Sequence, residues 1–195
     1  MHIADGILPV GACLAAQALS WGTVYRLGRN LDAKEVPRMG MMAAATFAVS
    51  LIHFPLGGTS IHLGLLGLCG VILGRRAFPV VFATLLFQSL LFQHGGLLTL
   101  GVNALNMGLG ALLAAALWRL DGLPESLRAF GAGFLGVMTP ALLIAVEFSL
   151  TGYGRGFYFI ALLYLVAAAI EGLLTLAAVS FLRQVKPAVL ARAEA

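Results

Sequence analysis

The 195-residue sequence predicts an all-α integral membrane protein with seven transmembrane helices, the N-terminus outside and the C-terminus in the cytoplasm. Hydrophobic residues make up 61% of the chain and charged residues only 10%, whereas a soluble domain carries about 25% charged residues. Apolar runs recur that are long enough, or nearly so, for helices of roughly 20 residues across a hydrocarbon core about 30 Å thick. We expect residues 1–195 to form a single transmembrane domain with no separate soluble domain.

Polar segments divide the sequence into seven apolar runs, each predicted as a membrane span. The spans cover residues 7–25, 39–53, 61–74, 78–92, 101–118, 127–150 and 157–182. A polar, basic stretch follows the first run, and Pro37 suits the first turn of the second helix. Residues 54–60 contain a proline and two adjacent glycines, which predict a loop.

The later runs are also bounded by turn residues and charges. The third run is short and glycine-rich and ends at Arg75 and Arg76, whose long side chains can reach the membrane interface. The turn 93–96 ends the fourth run, and the glycine-rich segment 152–156 leads into the seventh. The cysteines, Cys13 and Cys69, lie inside apolar runs without metal-type spacing, which indicates packing residues.

The basic residues predict the orientation. When the connections are assigned alternately to two sides of the membrane, eleven of the twelve Lys and Arg residues fall on one side and only Arg155 falls on the other. These eleven are Arg26, Arg29, Lys34, Arg38, Arg75, Arg76, Arg119, Arg128, Arg183, Lys186 and Arg192. The positive-inside rule makes their side cytoplasmic. The net charge of +4 therefore reflects topology and does not indicate nucleic acid as a partner.

The first two residues form a candidate metal chelate. The α-amine of Met1, the amide nitrogen of His2 and the His2 Nδ1 can bind one ion in fused rings, provided that the N-terminus is not extended. The alternative is that His2 is a polar residue in a frayed tail. The predicted topology places all four histidines, His2, His53, His62 and His94, at the outer face, and histidine is a common metal ligand.

His62 is the candidate fourth ligand. Three nearly coplanar nitrogens from the N-terminus need one imidazole to complete a square, and square-planar nitrogen ligation favours Ni(II) or Cu(II). Thr59 and Ser60 precede His62 and can cap the third helix or hydrogen-bond a ligand imidazole. For His53 and His94, a supporting position near the metal and an interfacial position at a helix end both remain open.

Further polar residues within or beside the spans have two interpretations each. Asn103 and Asn106 lie at i, i+3 on one helix face; they hydrogen-bond the loop that carries His62, or they join helices. Asp5 orients His2 or caps the first helix. Glu171, near the middle of the seventh span, is either a hydrogen-bonded structural group or part of a proton relay, and the role of Glu147 is equally open.

These residues resemble a known family. The stretches 1–6, 57–63 and 103–108, together with Ile170-Glu171-Gly172, are similar to the signatures of the CbiM/NikM family, the substrate-binding membrane components of energy-coupling-factor (ECF) transporters for cobalt and nickel. The resemblance covers essentially the whole chain. It implies seven helices, an N-terminal segment inserted into the protein from outside, and a metal held by the Met1 amine, the His2 backbone and side chain, and His62.

The resemblance also implies the cargo and the partners. Co²⁺ or Ni²⁺ would be the transported substrate, with no organic cofactor, in a bacterial or archaeal cytoplasmic membrane. Two ABC-type ATPase subunits and a transmembrane coupling (T) subunit would complete the importer. The resemblance leaves open whether a small accessory membrane subunit is a further partner. The small residues Gly40, Ala44 and Ala48 form a stripe that packs internally or docks the T subunit.

The chain itself is not expected to be an enzyme. It contains no P-loop pattern, so ATP hydrolysis would be the work of partner subunits. A stand-alone secondary transporter or channel for divalent metal is the first alternative. An intramembrane hydrolase is the second, although the sequence has neither His-Glu-x-x-His nor Gly-x-Ser-x-Gly. The choice between cobalt and nickel stays open.

Overall fold

The computed structural model of the protein describes residues 2–56, 59–153 and 157–190, with the backbone alone for residues 53–56, 59 and 60. Within these ranges the chain forms seven α-helices and one antiparallel hairpin. In chain order the elements are α1 (Val10–Gly28), α2 (Val36–Ser50), β1 (His53–Leu56), β2 (Thr59–His62), α3 (Leu66–Leu73), α4 (Ala77–Phe92), α5 (Leu100–Arg119), α6 (Glu125–Thr151) and α7 (Phe157–Val185). Short 3-10 turns lie at Gly74–Arg76 and Pro187–Val189.

The segment between α2 and α3 departs from the mostly helical architecture and corrects one local prediction. The sequence pattern predicts a loop at 54–60 followed by a helix, but the backbone forms β1 and β2, with His53 opposite His62. Pro55 cannot continue a helix, and the β-branched Ile61 favours extended backbone. His62 is therefore the last residue of a strand and not the first of a helix.

Four helical segments of the described chain are long and apolar enough to cross a membrane: Leu66–Phe92, α5, α6 and α7. The predicted third span, 61–74, does not form a helix of that length, because α3 has 8 residues and rises only about 12 Å. Gly74, with φ +56°, ends α3 before the 3-10 turn that leads into α4. The mostly helical membrane architecture is confirmed, while the count of seven spans and the orientation of the termini stay predictions.

The bundle is built around α5, which packs against α1, α3, α4 and α6, and α6 in turn packs against α7. Glycines allow these backbones to approach closely. A Cβ atom at Gly67 of α3 would overlap the Ala132 carbonyl of α6, and one at Gly133 of α6 would overlap the Glu171 carbonyl of α7. These contacts fix α3, α6 and α7 relative to one another.

The small-residue stripe of α2 faces outward. Gly40, Ala44 and Ala48 are all exposed, and a Cβ atom at Gly40 would have nothing within 4 Å. Within the described chain, this stripe therefore does not serve internal packing.

Arg76 is buried, although the sequence suggests that it extends to the membrane interface. Its side chain is 5% exposed and forms a salt bridge of 3.0 Å with Glu35. The same guanidinium donates to the carbonyls of Leu27, Arg29 and Asn30. Arg76 thus ties the connection between α1 and α2 to the 3-10 turn between α3 and α4.

Candidate metal centre

The N-terminal segment docks against the start of α5 through Ile3. Ile3 is fully buried; its N–H donates to Asn103 Oδ1 (2.8 Å), and its carbonyl accepts from Asn103 Nδ2 (3.0 Å). The Thr99 hydroxyl lies 2.8 Å from the same carbonyl. These hydrogen bonds satisfy both polar groups of the Ile3 backbone and hold the residue that follows His2 in one position.

Asp5 provides a second anchor for the N-terminal segment. Its carboxylate accepts hydrogen bonds from the backbone amides of Thr99 (2.8 Å) and Leu98 (3.2 Å). Partial desolvation alone would raise the pKa of Asp5, but the hydrogen bonds from Thr99 and Leu98 bring the pKa below its ordinary value. Asp5 does not cap the first helix, because α1 has no side-chain cap at its N-terminus within the described chain; it binds the amides at the start of α5, where a helix favours negative charge. The other interpretation, that Asp5 orients His2, stays a prediction.

Two glycines after His94 make room for this segment. A Cβ atom at Gly96 would overlap the Asp5 carboxyl group, and one at Gly95 would lie 3.5 Å from the His2 Cβ. Gly95 also has φ +80°, a backbone conformation that side chains with a Cβ rarely adopt. The connection between α4 and α5 can therefore close over the N-terminal segment and bring His94 beside His2.

Three histidine side chains converge at this point. His2, His62 and His94 each offer a ring nitrogen, and these atoms all lie within 4.8 Å of one another. The ring centroids are 4.9 Å apart for His2 and His62, 4.2 Å for His2 and His94, and 5.4 Å for His62 and His94. The His2 and His62 rings are nearly parallel at 16°, whereas the His94 ring is at 88° to that of His2.

His62 is the most buried of the three, with 3% of its surface exposed. Its Nδ1 lies 3.1 Å from the Leu63 carbonyl oxygen. In the tautomer that donates from Nδ1 to this carbonyl, Nε2 keeps its lone pair, and a metal-binding histidine commonly has this arrangement. His2 and His94 are half-buried. The cluster lies beside the hairpin, because His62 is the last residue of β2.

The structure describes no side chain for three predicted site residues. Met1 is not among the described residues, and the side chains of His53 and Ser60 are not described either. The predicted roles of these three residues stay predictions.

The two asparagines of α5 have different partners. Asn103 binds the backbone of Ile3, as described above, and Asn106 donates to both carboxylate oxygens of Glu147 on α6, at 2.9 and 3.1 Å. Neither of these hydrogen bonds reaches the segment that carries His62, so that predicted role is not observed. Asn106 joins two helices, which was the other interpretation, whereas Asn103 binds the N-terminal segment, which neither interpretation included.

Glu171 makes a connection that the sequence could not reveal. Its Oε1 accepts hydrogen bonds from the backbone amides of Gly64 and Leu65, immediately after His62. In the sequence, Glu171 stands out as a costly charge within an apolar span, and a hydrogen-bonded role is one of its two interpretations. The sequence did not indicate that Thr99 would bind Ile3 and Asp5, because a threonine before an apolar run is common.

Comparison with known proteins assigns the chain to a family. Residues 2–189 match the family described as the cobalt uptake substrate-specific transmembrane region, CbiM. The chain belongs to this family. The CbiM assignment confirms the resemblance found in the sequence, and it makes the chain a metal transport component of the cytoplasmic membrane.

Individual relatives agree with the CbiM assignment. The cobalt transport protein CbiM of Kyrpidia tusciae is 33% identical over 99% of this chain and 87% of that protein. A fused nickel transport protein NikMN of Rhodobacter capsulatus is 35% identical over 76% of this chain and 47% of that protein. A crystal structure of a transition metal transporter superposes with a TM-score of 0.85 at 26% identity, over 95% of this chain and 93% of that chain.

Proposed function

We propose that this protein is the metal-capture subunit of an ATP-driven ECF-type importer for Co²⁺ or Ni²⁺. It binds the ion at the predicted outer face through the Met1 amine, the His2 amide nitrogen and Nδ1, and a His62 ring nitrogen. The observation that carries the proposal is the convergence of His2, His62 and His94. The names of the CbiM and NikMN relatives support cobalt and nickel as the candidate cargoes.

The separations of the three rings fit one shared ion. A metal–imidazole bond of about 2 Å places the ring centroid about 3 Å from the metal, so neighbouring ligands have centroids about 4.5 Å apart and opposite ligands about 6 Å. The distances of 4.2, 4.9 and 5.4 Å correspond to neighbouring positions. The imidazole rings of His2 and His62 are nearly parallel, which fits two ligands in one coordination plane. The ring of His94 fits a position above or below that plane.

The N-terminal contacts support the chelate. Ile3 is held by Asn103, and the segment is held again by Asp5 two residues later. A tail fixed at these two positions cannot fray freely, so His2 is pre-positioned beside His62 before an ion arrives. Pre-positioning raises affinity because less conformational freedom is lost on binding.

The test is metal analysis of purified protein with three N-termini: the native one, one with two residues added before Met1, and one with the same two residues added after Ala195 as a matched control. We expect the native and C-terminally extended proteins to bind one Ni²⁺ or Co²⁺, and the N-terminally extended protein to lose binding. Equal metal content in all three proteins would refute the N-terminal chelate. A His62→Ala variant that binds as tightly as the parent would remove His62 from the ligand set.

The ECF assembly is a separate part of the proposal. Two ATPase subunits would supply energy, and the exposed stripe of Gly40, Ala44 and Ala48 would dock the T subunit, because small residues allow close helix approach. An Ala44→Leu variant should bind metal normally and lose co-purification with the T subunit, whereas a Leu150→Ala variant, altered at another exposed apolar position, should lose neither. Metal uptake that survives deletion of the ATPase subunits would instead favour a stand-alone transporter.

A further inference from the structure

The proposed ligands are held by different helices. His2 is followed directly by Ile3, which α5 holds through Asn103. His62 is followed by a short non-helical segment, 63–65, that receives two hydrogen bonds from Glu171 of α7. The helix α6 lies between, packed against both α5 and α7. The distance between the two imidazoles therefore depends on where α5 and α7 lie relative to each other.

The segment after His62 needs an external partner to keep its shape. Leu65 has φ +49°, a left-handed conformation that is uncommon for residues other than glycine. The amides of Gly64 and Leu65 both point to one oxygen, Glu171 Oε1, and the second distance is 3.0 Å. Two successive amides that converge on a single carboxylate oxygen fix the backbone two and three residues after His62.

Glu171 is itself placed for this task. The residue is 1% exposed, and α7 is pressed against α6 at this level, where a Cβ atom at Gly133 would overlap the Glu171 carbonyl. A polar side chain in a transmembrane helix is costly and usually faces the protein interior, where it serves a purpose. Glu171 makes no described contact with the imidazoles, so any effect on the metal acts through the backbone of 63–65.

We propose that Glu171 is the positioning residue for His62: its carboxylate fixes the segment 63–65 and thereby sets the metal affinity of the site. The proposal rests on the proposed function, because it requires His62 to be a ligand. It goes beyond that function in tying affinity to α7, which contributes none of the proposed ligands. What the segment 63–65 requires from the side chain of residue 171 is an acceptor oxygen within hydrogen-bond reach of the Gly64 and Leu65 amides.

The experiment measures Ni²⁺ dissociation constants by chelator competition, on purified protein with its native N-terminus. Glu171→Ala removes the acceptor and should weaken binding about ten- to hundredfold, as loss of an outer-shell partner commonly does. Glu171→Gln keeps an acceptor oxygen of the same reach and should remain within about threefold of the parent. Glu171→Asp keeps the charge but shortens the reach, so it should weaken binding as well. Thr175→Val, one turn further along α7 at an equally buried position, is the matched control and should bind normally.

A double-mutant cycle with His62→Ala separates positioning from general damage. If Glu171 acts through His62, adding Glu171→Ala to His62→Ala should leave the residual affinity unchanged. A further loss in the double variant would overturn the proposal, because it would mean that the fold as a whole is weakened. Normal binding by Glu171→Ala, or an equal loss in Glu171→Gln and Glu171→Ala, would overturn it too.

The cycle also distinguishes this inference from the proposed function. If His62→Ala binds Ni²⁺ as tightly as the parent, the ligand set itself is wrong and the positioning role is refuted with it. If His62→Ala weakens binding and Glu171→Ala does not, the ligand set stands and only the role of Glu171 is refuted.

Discussion

Replacing Asn103 with alanine tests whether docking of the N-terminal segment controls metal binding. The substitution removes the acceptor at 2.8 Å from the Ile3 N–H and one of the two donors near the Ile3 carbonyl. The Thr99 hydroxyl still lies 2.8 Å from that carbonyl, so the N–H is the group left without its acceptor. An unsatisfied buried N–H costs about 1–3 kcal/mol.

This cost translates directly into affinity. Each 1.4 kcal/mol corresponds to a factor of ten, so about 1–3 kcal/mol lowers the docked population relative to the undocked one by roughly five- to 150-fold. If the undocked tail leaves His2 away from His62, the apparent dissociation constant for Ni²⁺ rises by up to the same factor once docking becomes limiting.

Asn106→Ala is the matched control for this experiment. It removes the same type of buried side chain from the same helix, three residues later, but its partner is Glu147 on α6. We expect Asn106→Ala to lower thermal stability and to leave the Ni²⁺ dissociation constant close to that of the parent. The reasoning is refuted if Asn103→Ala binds as tightly as the parent, or if both variants weaken binding equally.

Three other predictions follow from the contacts around the site and at the opposite end. Gly96→Ala should displace the Asp5 carboxyl group and weaken Ni²⁺ binding in chelator competition, whereas Gly40→Ala, with open space around it, should not; equal effects would contradict the prediction. Because the folded-state pKa of Asp5 is lowered, its stabilising contribution is present above the unfolded pKa of about 3.9 and is lost as the pH falls through the folded value. The difference in melting temperature between the parent and Asp5→Asn, measured without metal, should therefore be constant from pH 7 to about 5 and shrink below about pH 4. Arg76→Ala should destabilise the protein by about 1–3 kcal/mol, since it removes the donor to three backbone carbonyls and the salt-bridge partner of the partly exposed Glu35; urea unfolding measures this, and a loss below about 0.5 kcal/mol would contradict it.

The features that could be predicted from the sequence, the helix positions and two of the clustered histidines, depend on short stretches of chain. Apolar runs have the length that a membrane span requires, so the helices α4 to α7 lie close to their predicted positions. The spacing of the motifs drew attention to His2 and His62, which the structure places side by side. Periodicity and motif are properties of neighbouring residues, and they carry over into structure when tertiary contacts do not override them.

The contacts that assemble the site were not predictable in the same way. Asn103 and Asn106 are the same residue type on one helix face, yet one binds Ile3, a hundred residues away, and the other binds a neighbouring helix. Asp5 precedes α1 but binds the start of α5. His94 joins the cluster because Gly95 and Gly96 leave space for the N-terminal segment, and a two-glycine turn does not show what will occupy that space.

The proposed ligands are anchored to different helices, His2 to α5 through Asn103 and His62 to α7 through Glu171, and this has a consequence for how an ion could leave. A carrier must hold its cargo in one state and loosen it in another, and only a difference in affinity between the states drives release. Switching proteins often use helix displacements of about 1–2 Å, and a metal–nitrogen bond is only about 2 Å long. Because α3, α6 and α7 are fixed to one another, a slide of these three helices together relative to α5 by that amount would draw His62 out of bonding range while His2 stayed with α5. The ion would then pass from the four proposed ligands to three.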